Sequence, residues 1–159
     1  MKKTRIISAL LILVLCLALC SCGGKEVEEP KNTLEKETVT TENQIPAEGI
    51  WKDATYRTAK VLGQGKKEFD LKVVAEGKSL TFTVKTDEEN LGKALLEAGI
   101  VEGEEGAYGL YIKKGDGMLA DYDINQTYWS FCIDGEAQMS GVSSVTVSGG
   151  EEFELVLAK

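Results

Sequence analysis

From residue 67 to residue 85 the chain reads KEFDLKVVAEGKSLTFTVK, and apolar side chains recur at every second position: Phe69, Leu71 and Val73, then Leu80, Phe82 and Val84. A period of two is that of a strand with one buried face. Taking Glu76-Gly77 as a two-residue turn sets Val73 opposite Leu80, Leu71 opposite Phe82 and Phe69 opposite Val84, so one side of the hairpin is wholly apolar. The period then changes. Leu91, Ala94, Leu95 and Ala98 follow helical spacing, an apolar stripe that must lie on something. Thr86-Asp87-Glu88-Glu89 has the form of a capping box and predicts the helix start there. Gly99, with Ile100 beyond it, predicts a glycine C-cap.

Glu102 to Gly106 reads as a glycine-rich connection. Leu110 and Ile112 mark a further strand, with a turn at Gly115-Asp116-Gly117. In TYWSFCIDG, Trp129, Phe131 and Ile133 share one face and Tyr128, Ser130 and Cys132 the other. Ser144 to Val147, a turn at Gly149-Gly150, and a last strand facing inward through Phe153, Leu155 and Leu157 complete the pattern. Hairpin, helix, then more strands is an α+β order, that of a β-grasp-like fold in which a mixed sheet curls over a single helix. The segment Ile50 to Gly65 offers an edge strand that pattern alone does not place.

The N-terminal third has a different character. Lys2, Lys3 and Arg5 precede Ile6 to Cys20, an apolar run interrupted only by Ser8, which reads as the leader of an exported protein and is short for a bilayer span of about 20 residues. Leu19-Cys20-Ser21-Cys22 has the form of a bacterial lipobox. Cys22, after a small residue, is the expected lipidation site; Cys20, after Leu19, is the competing one. Residues 1–21 are then a signal peptide, and a diacylglycerol thioether on Cys22 supplies the two acyl chains that stable anchoring requires. Residues 22–48 hold both prolines, Pro30 and Pro46, among Glu, Lys, Thr and Asn, and read as a disordered acidic tether. Residues 49–159 form one domain, large enough for a modest core.

Composition removes several functions. The net charge is −8, and loss of the cationic leader makes the remainder more acidic, which argues against nucleic acid as a partner. There is no histidine, so the usual general base, zinc ligand and Ser-His or Cys-His pairs are missing and no enzyme is expected. Gly63 to Lys67 suggests a phosphate loop, but Lys60 and Lys67 stand where a Walker glycine and a Ser or Thr belong. Asp116, Asp121 and Asp123 lack the closing glutamate of a calcium loop. Asn125-Gln126-Thr127 reads as a chance sequon. Cys132 is left as a half-buried thiol with no base beside it in sequence.

The helix LGKALLEAGIVEG, the strand YGLYI, the DYD segment and YWSFCIDG, followed by Gly141-Val142 and a glycine turn, resemble the transcobalamin-like C-terminal domain of bacterial surface lipoproteins, many of them Gram-positive. The resemblance runs from about Ile50 to Ala158. It implies the β-grasp fold and a site on the hairpin Cys132 to Gly141, with Gln138, Met139 and Ser140 facing a ligand and Trp129 at the base. By residue type Trp129 reads first as core, and Met139 as either a soft ligand contact or a bare surface residue. Cobalamin carriers close this domain over the vitamin with a large helical barrel, for which the chain carries no counterpart. The resemblance implies a membrane-anchored extracytoplasmic binding lipoprotein that captures cobalamin, a related corrinoid or another small cofactor for a permease. A protein interaction or adhesion module at the cell surface is the alternative. No cofactor or metal is expected to be required.

Overall fold

The computed structural model describes residues 44–159. The leader, Cys22 and the tether up to residue 43 lie outside the described residues. The fold is mixed α+β, mostly sheet. In chain order come a 3-10 turn (Gly49–Asp53), β1 (Lys60–Gly63), β2 (Lys67–Ala75), β3 (Lys78–Thr86), α1 (Leu91–Glu97), β4 (Val101–Gly106), β5 (Gly109–Gly115), β6 (Met118–Leu119), α2 (Tyr122–Asn125), β7 (Tyr128–Ile133), β8 (Glu136–Ala137), a second 3-10 turn (Val142–Ser144) and β9 (Glu152–Ala158).

The β2–β3 hairpin has the register that the alternation predicts: Phe69 opposite Val84, Leu71 opposite Phe82, Val73 opposite Leu80. Glu76 and Gly77 both take positive φ, 48° and 72°, the turn whose twist suits a two-residue hairpin. All six facing side chains are buried. β9 lies between β2, to which it runs parallel, and β7, to which it runs antiparallel, giving a six-stranded sheet in the order β1-β3-β2-β9-β7-β8. Phe153 of β9 meets Phe69 edge-on at 5.4 Å between ring centroids and Phe131 at 5.9 Å. The core therefore runs continuously across all three strands.

Four expectations are corrected. The helix starts at Leu91 and not after Thr86: Asn90 is the N-cap, its Oδ1 accepting from the Lys93 amide at 3.1 Å while its Nδ2 donates to the Ser143 carbonyl at 2.6 Å. Thr86 ends β3 and closes a local turn, accepting from the Glu88 amide at 3.0 Å. The tertiary bond to Ser143 favours the later cap. Glu102 to Gly106 is strand β4 rather than a connection, and β4-β5-β6 form a separate three-stranded sheet, so the single curled sheet becomes two sheets with a second short helix, α2. Its residues after Val101 are all exposed, which is why no apolar period marks it. Ser144 to Val147 makes only an isolated bridge, Asn90 with Thr146; its backbone groups instead hold the start of α1, with Leu91 N–H on Val145 and Val147 N–H on Glu89.

The end of α1 follows the pattern: Gly99 N–H reaches the Leu96 carbonyl and Ile100 N–H the Leu95 carbonyl, with Gly99 at φ 68° and Ile100 buried, a Schellman cap. Leu91, Ala94 and Leu95 are fully buried. The segment 50–65 supplies β1, parallel to β3 at the sheet edge, and Trp51, wholly buried with its Nε1 donating to the Ala75 carbonyl at 3.0 Å. Ile45, inside the expected tether, is buried too, its N–H on the Arg57 carbonyl. Ordered packing thus begins ahead of Gly49.

Candidate functional site

The tip of the β4–β5 hairpin, the first half of β5, the first four residues of β7 and the loop 138–142 surround a cleft of about 360 Å³. Two glycines let these parts approach. Gly109 has φ 95°, and a Cβ there would lie 2.6 Å from the Ser143 Cβ; the contact lets the Ser143 hydroxyl accept from the Leu110 amide at 2.9 Å. Gly115 lies under Trp129, where a Cβ would come within 3.0 Å of the indole. The Trp129 Nε1 donates to the Met118 carbonyl at 3.3 Å. Trp129 is therefore a buried, hydrogen-bonded core residue, at 8% exposure, whose ring also forms part of the cleft floor.

All four residues named from sequence, Trp129, Gln138, Met139 and Ser140, line this cleft. Their local setting differs from the expected second hairpin strand. Strand β8 ends at Ala137, and 138–140 continue as a loop, tied back only where the Gln138 amide donates to the Phe131 carbonyl at 2.9 Å. The Gln138 side chain donates to the Glu136 carbonyl at 2.9 Å, leaving its amide oxygen free of protein donors among the described residues. Met139 is 105% exposed. A Met so displayed gains nothing from the fold and is available to a ligand.

Sequence reasoning passed over three tyrosines. Tyr108 stands 98% exposed at the tip of the β4–β5 hairpin, and Tyr111 and Tyr128 are 44% and 40% exposed along the walls. The signal was present in YGLYI: the alternation that buries Leu110 and Ile112 puts Tyr111 on the outer face, where a polar residue ordinarily sits. None of the residues around the cleft carries a charge.

Other candidates resolve into structure. Cys132 is buried, with the Ser130 hydroxyl 3.9 Å away. The Asn125 carboxamide accepts from the Asp121 and Thr127 amides and donates to the Leu119 carbonyl, so the side chain of the sequon asparagine, though exposed, is already engaged in hydrogen bonds. Asp121 caps α2 and pairs with Lys113 at 3.3 Å. Among the described residues no three His, Cys, Asp or Glu side chains gather as a metal-ligand set. A broader depression near Ile133, Val145 and Phe153 has Glu151 on its wall, but that carboxylate already accepts from the Ser148 and Gly149 amides. Asp116 is buried at the β5–β6 turn; its Oδ1 accepts from the Tyr56 amide at 2.9 Å while its Oδ2 has no partner. Burial pushes its pKa up to about 6 against the pull of the Tyr56 hydrogen bond.

No family model and no curated protein sequence matches the chain. Among solved structures the chain is similar to a protein of Ruminococcus gnavus, described provisionally as metal binding: 33% identity, TM-score 0.54, covering 59% of this chain and 98% of that one. The shared part is thus nearly the whole of that chain. Haptocorrin in complex with Cbi also matches, at 23% identity and TM-score 0.47, over 61% of this chain and 26% of haptocorrin. The chain spans about a quarter of haptocorrin's length.

Proposed function

We propose that the protein is a lipid-anchored extracytoplasmic binding module of β-grasp type, held to the membrane through Cys22, which captures a corrinoid or another small cofactor in the tyrosine-lined cleft and delivers it to a permease. The observation that carries this reading is the cleft itself: an apolar floor of Trp129, Phe131 and Val142, with Tyr108, Tyr111 and Met139 displayed above it. A pocket of this size, with an apolar floor and neutral hydrogen-bonding side chains around it, suits a small ligand with one apolar face. Tyr provides contact area with little loss of conformational freedom, and Met provides adaptability. The similarity to a protein described as metal binding supports a ligand-binding role.

The test is titration of the full-length protein in detergent with dicyanocobinamide and with cyanocobalamin, followed by absorbance and calorimetry. Saturable heat with a shift of the corrin bands is the expected result, weakened by Tyr111→Ala and by Met139→Ala. Absence of both signals for both compounds removes the corrinoid reading. The second reading, a surface interaction module, draws on the same exposed Tyr108 and Met139, since aromatic and Met side chains without charge are also the composition of a protein interface centre. A corrinoid null with a mapped protein contact at these residues would select it.

A further inference from the structure

The cleft is free of charge in a chain that is 28% charged with a net charge of −8. Its hydrogen-bonding side chains are the neutral ones of Tyr108, Tyr111, Tyr128, Ser130, Gln138 and Ser140, set around the apolar floor. Lys113, just past the cleft along β5, is engaged by Asp121 at 3.3 Å and Glu104 at 3.5 Å, so it is not available to an anionic ligand. A carboxylate brought into this cleft would lose water without meeting a cation, inside the repulsive field of an acidic protein. A carboxamide or hydroxyl would meet donors and acceptors of its own kind.

We infer that the cleft selects its ligand by the absence of charge: it accepts a molecule with an apolar face and a neutral hydrogen-bonding rim, and rejects the same molecule when its rim carries carboxylates. This rests on the small-ligand reading above and adds its selectivity. For corrinoids it means that the amidated macrocycle is taken and its carboxylate precursor is left. The class of reaction that must precede capture is therefore amidation of the ring's side-chain acids.

The experiment compares two probes with the same ring, metal and axial ligands, dicyanocobinamide and dicyanocobyrinic acid, by calorimetry on the full-length protein at pH 7.5. The amide is expected to bind at least about tenfold more tightly, and the gap should narrow as salt screens the repulsion. Ser140→Lys, which puts a cation on the exposed rim, is expected to raise the affinity of the acid and narrow the gap at low salt. Equal or tighter binding of the acid by the unsubstituted protein overturns the inference while leaving the corrinoid reading standing. Binding of neither probe removes both.

Discussion

Replacing Asp116 by Asn should abolish one specific component of the protein's pH-dependent stability. The Asp116 carboxyl is 1% exposed, with one oxygen bonded to the Tyr56 amide and the other unpartnered. Burial raises its pKa from 3.8 to about 6 in the folded state. Because the folded pKa lies above the unfolded one, the native state binds the extra proton between these values, and stability increases as the pH is lowered. The gain is complete below the unfolded value and lost as the pH rises through about 6. Between pH 7.5 and pH 5.0 this group alone should contribute about 1.4 kcal/mol, and about 3 kcal/mol over its whole range. Asn keeps an acceptor for the Tyr56 amide and tolerates the φ of 49° at this position, but it has no proton to gain. Urea unfolding of both proteins at the two pH values isolates the effect: the difference in their pH dependence should be about 1.4 kcal/mol. Identical pH dependence in parent and variant would refute the assignment of the buried proton to Asp116.

Two other outcomes follow from the geometry and a third from the proposed lipid anchor. Trp129→Ala removes the indole that lies on Gly115 and hydrogen-bonds Met118, and should cost about 3 to 5 kcal/mol in chemical denaturation; an unchanged midpoint would contradict its place in the core. Met139→Ala should leave thermal stability within about 0.5 kcal/mol of the parent, because the side chain is fully exposed, so any loss of ligand binding in this variant reports contact rather than folding. On the proposed lipid anchor, Cys22→Ser should move the protein from the membrane fraction to the soluble fraction on cell fractionation, and an unchanged distribution would refute anchoring through Cys22.

The parts legible in the sequence were those with a strict period or a glycine with a single conformational role. The β2–β3 register followed from six apolar residues on one face, since a one-residue slip would turn all of them outward. The α1 stripe and its Gly99 cap were equally determinate. What escaped had no local signature. Strand β4 buries only Val101, so its pairing comes from β5 rather than from its own residues. The start of α1 was displaced from Thr86 to Asn90 because the carboxamide of Asn90 also bonds Ser143, 53 residues away. Trp51 and Ile45 belong to no strand or helix period and become core only when the sheet brings Ala75 and Arg57 to them. At the candidate site the loop residues Gln138, Met139 and Ser140 came from a family resemblance. The three tyrosines that complete the cleft arrive from two sheets, a juxtaposition that periodicity along the chain does not reveal.

β9 separates β2 from β7 in the larger sheet, and its pairing with β2 joins Asp70 to Glu152. Until residues 152–158 have been synthesised, the β2–β3 hairpin and β7 have no strand between them. Such long-range pairing makes for slow folding. The larger sheet therefore closes only when its last strand arrives, and β7, which brings Tyr128 and Trp129 to the cleft, gains its long partner only then.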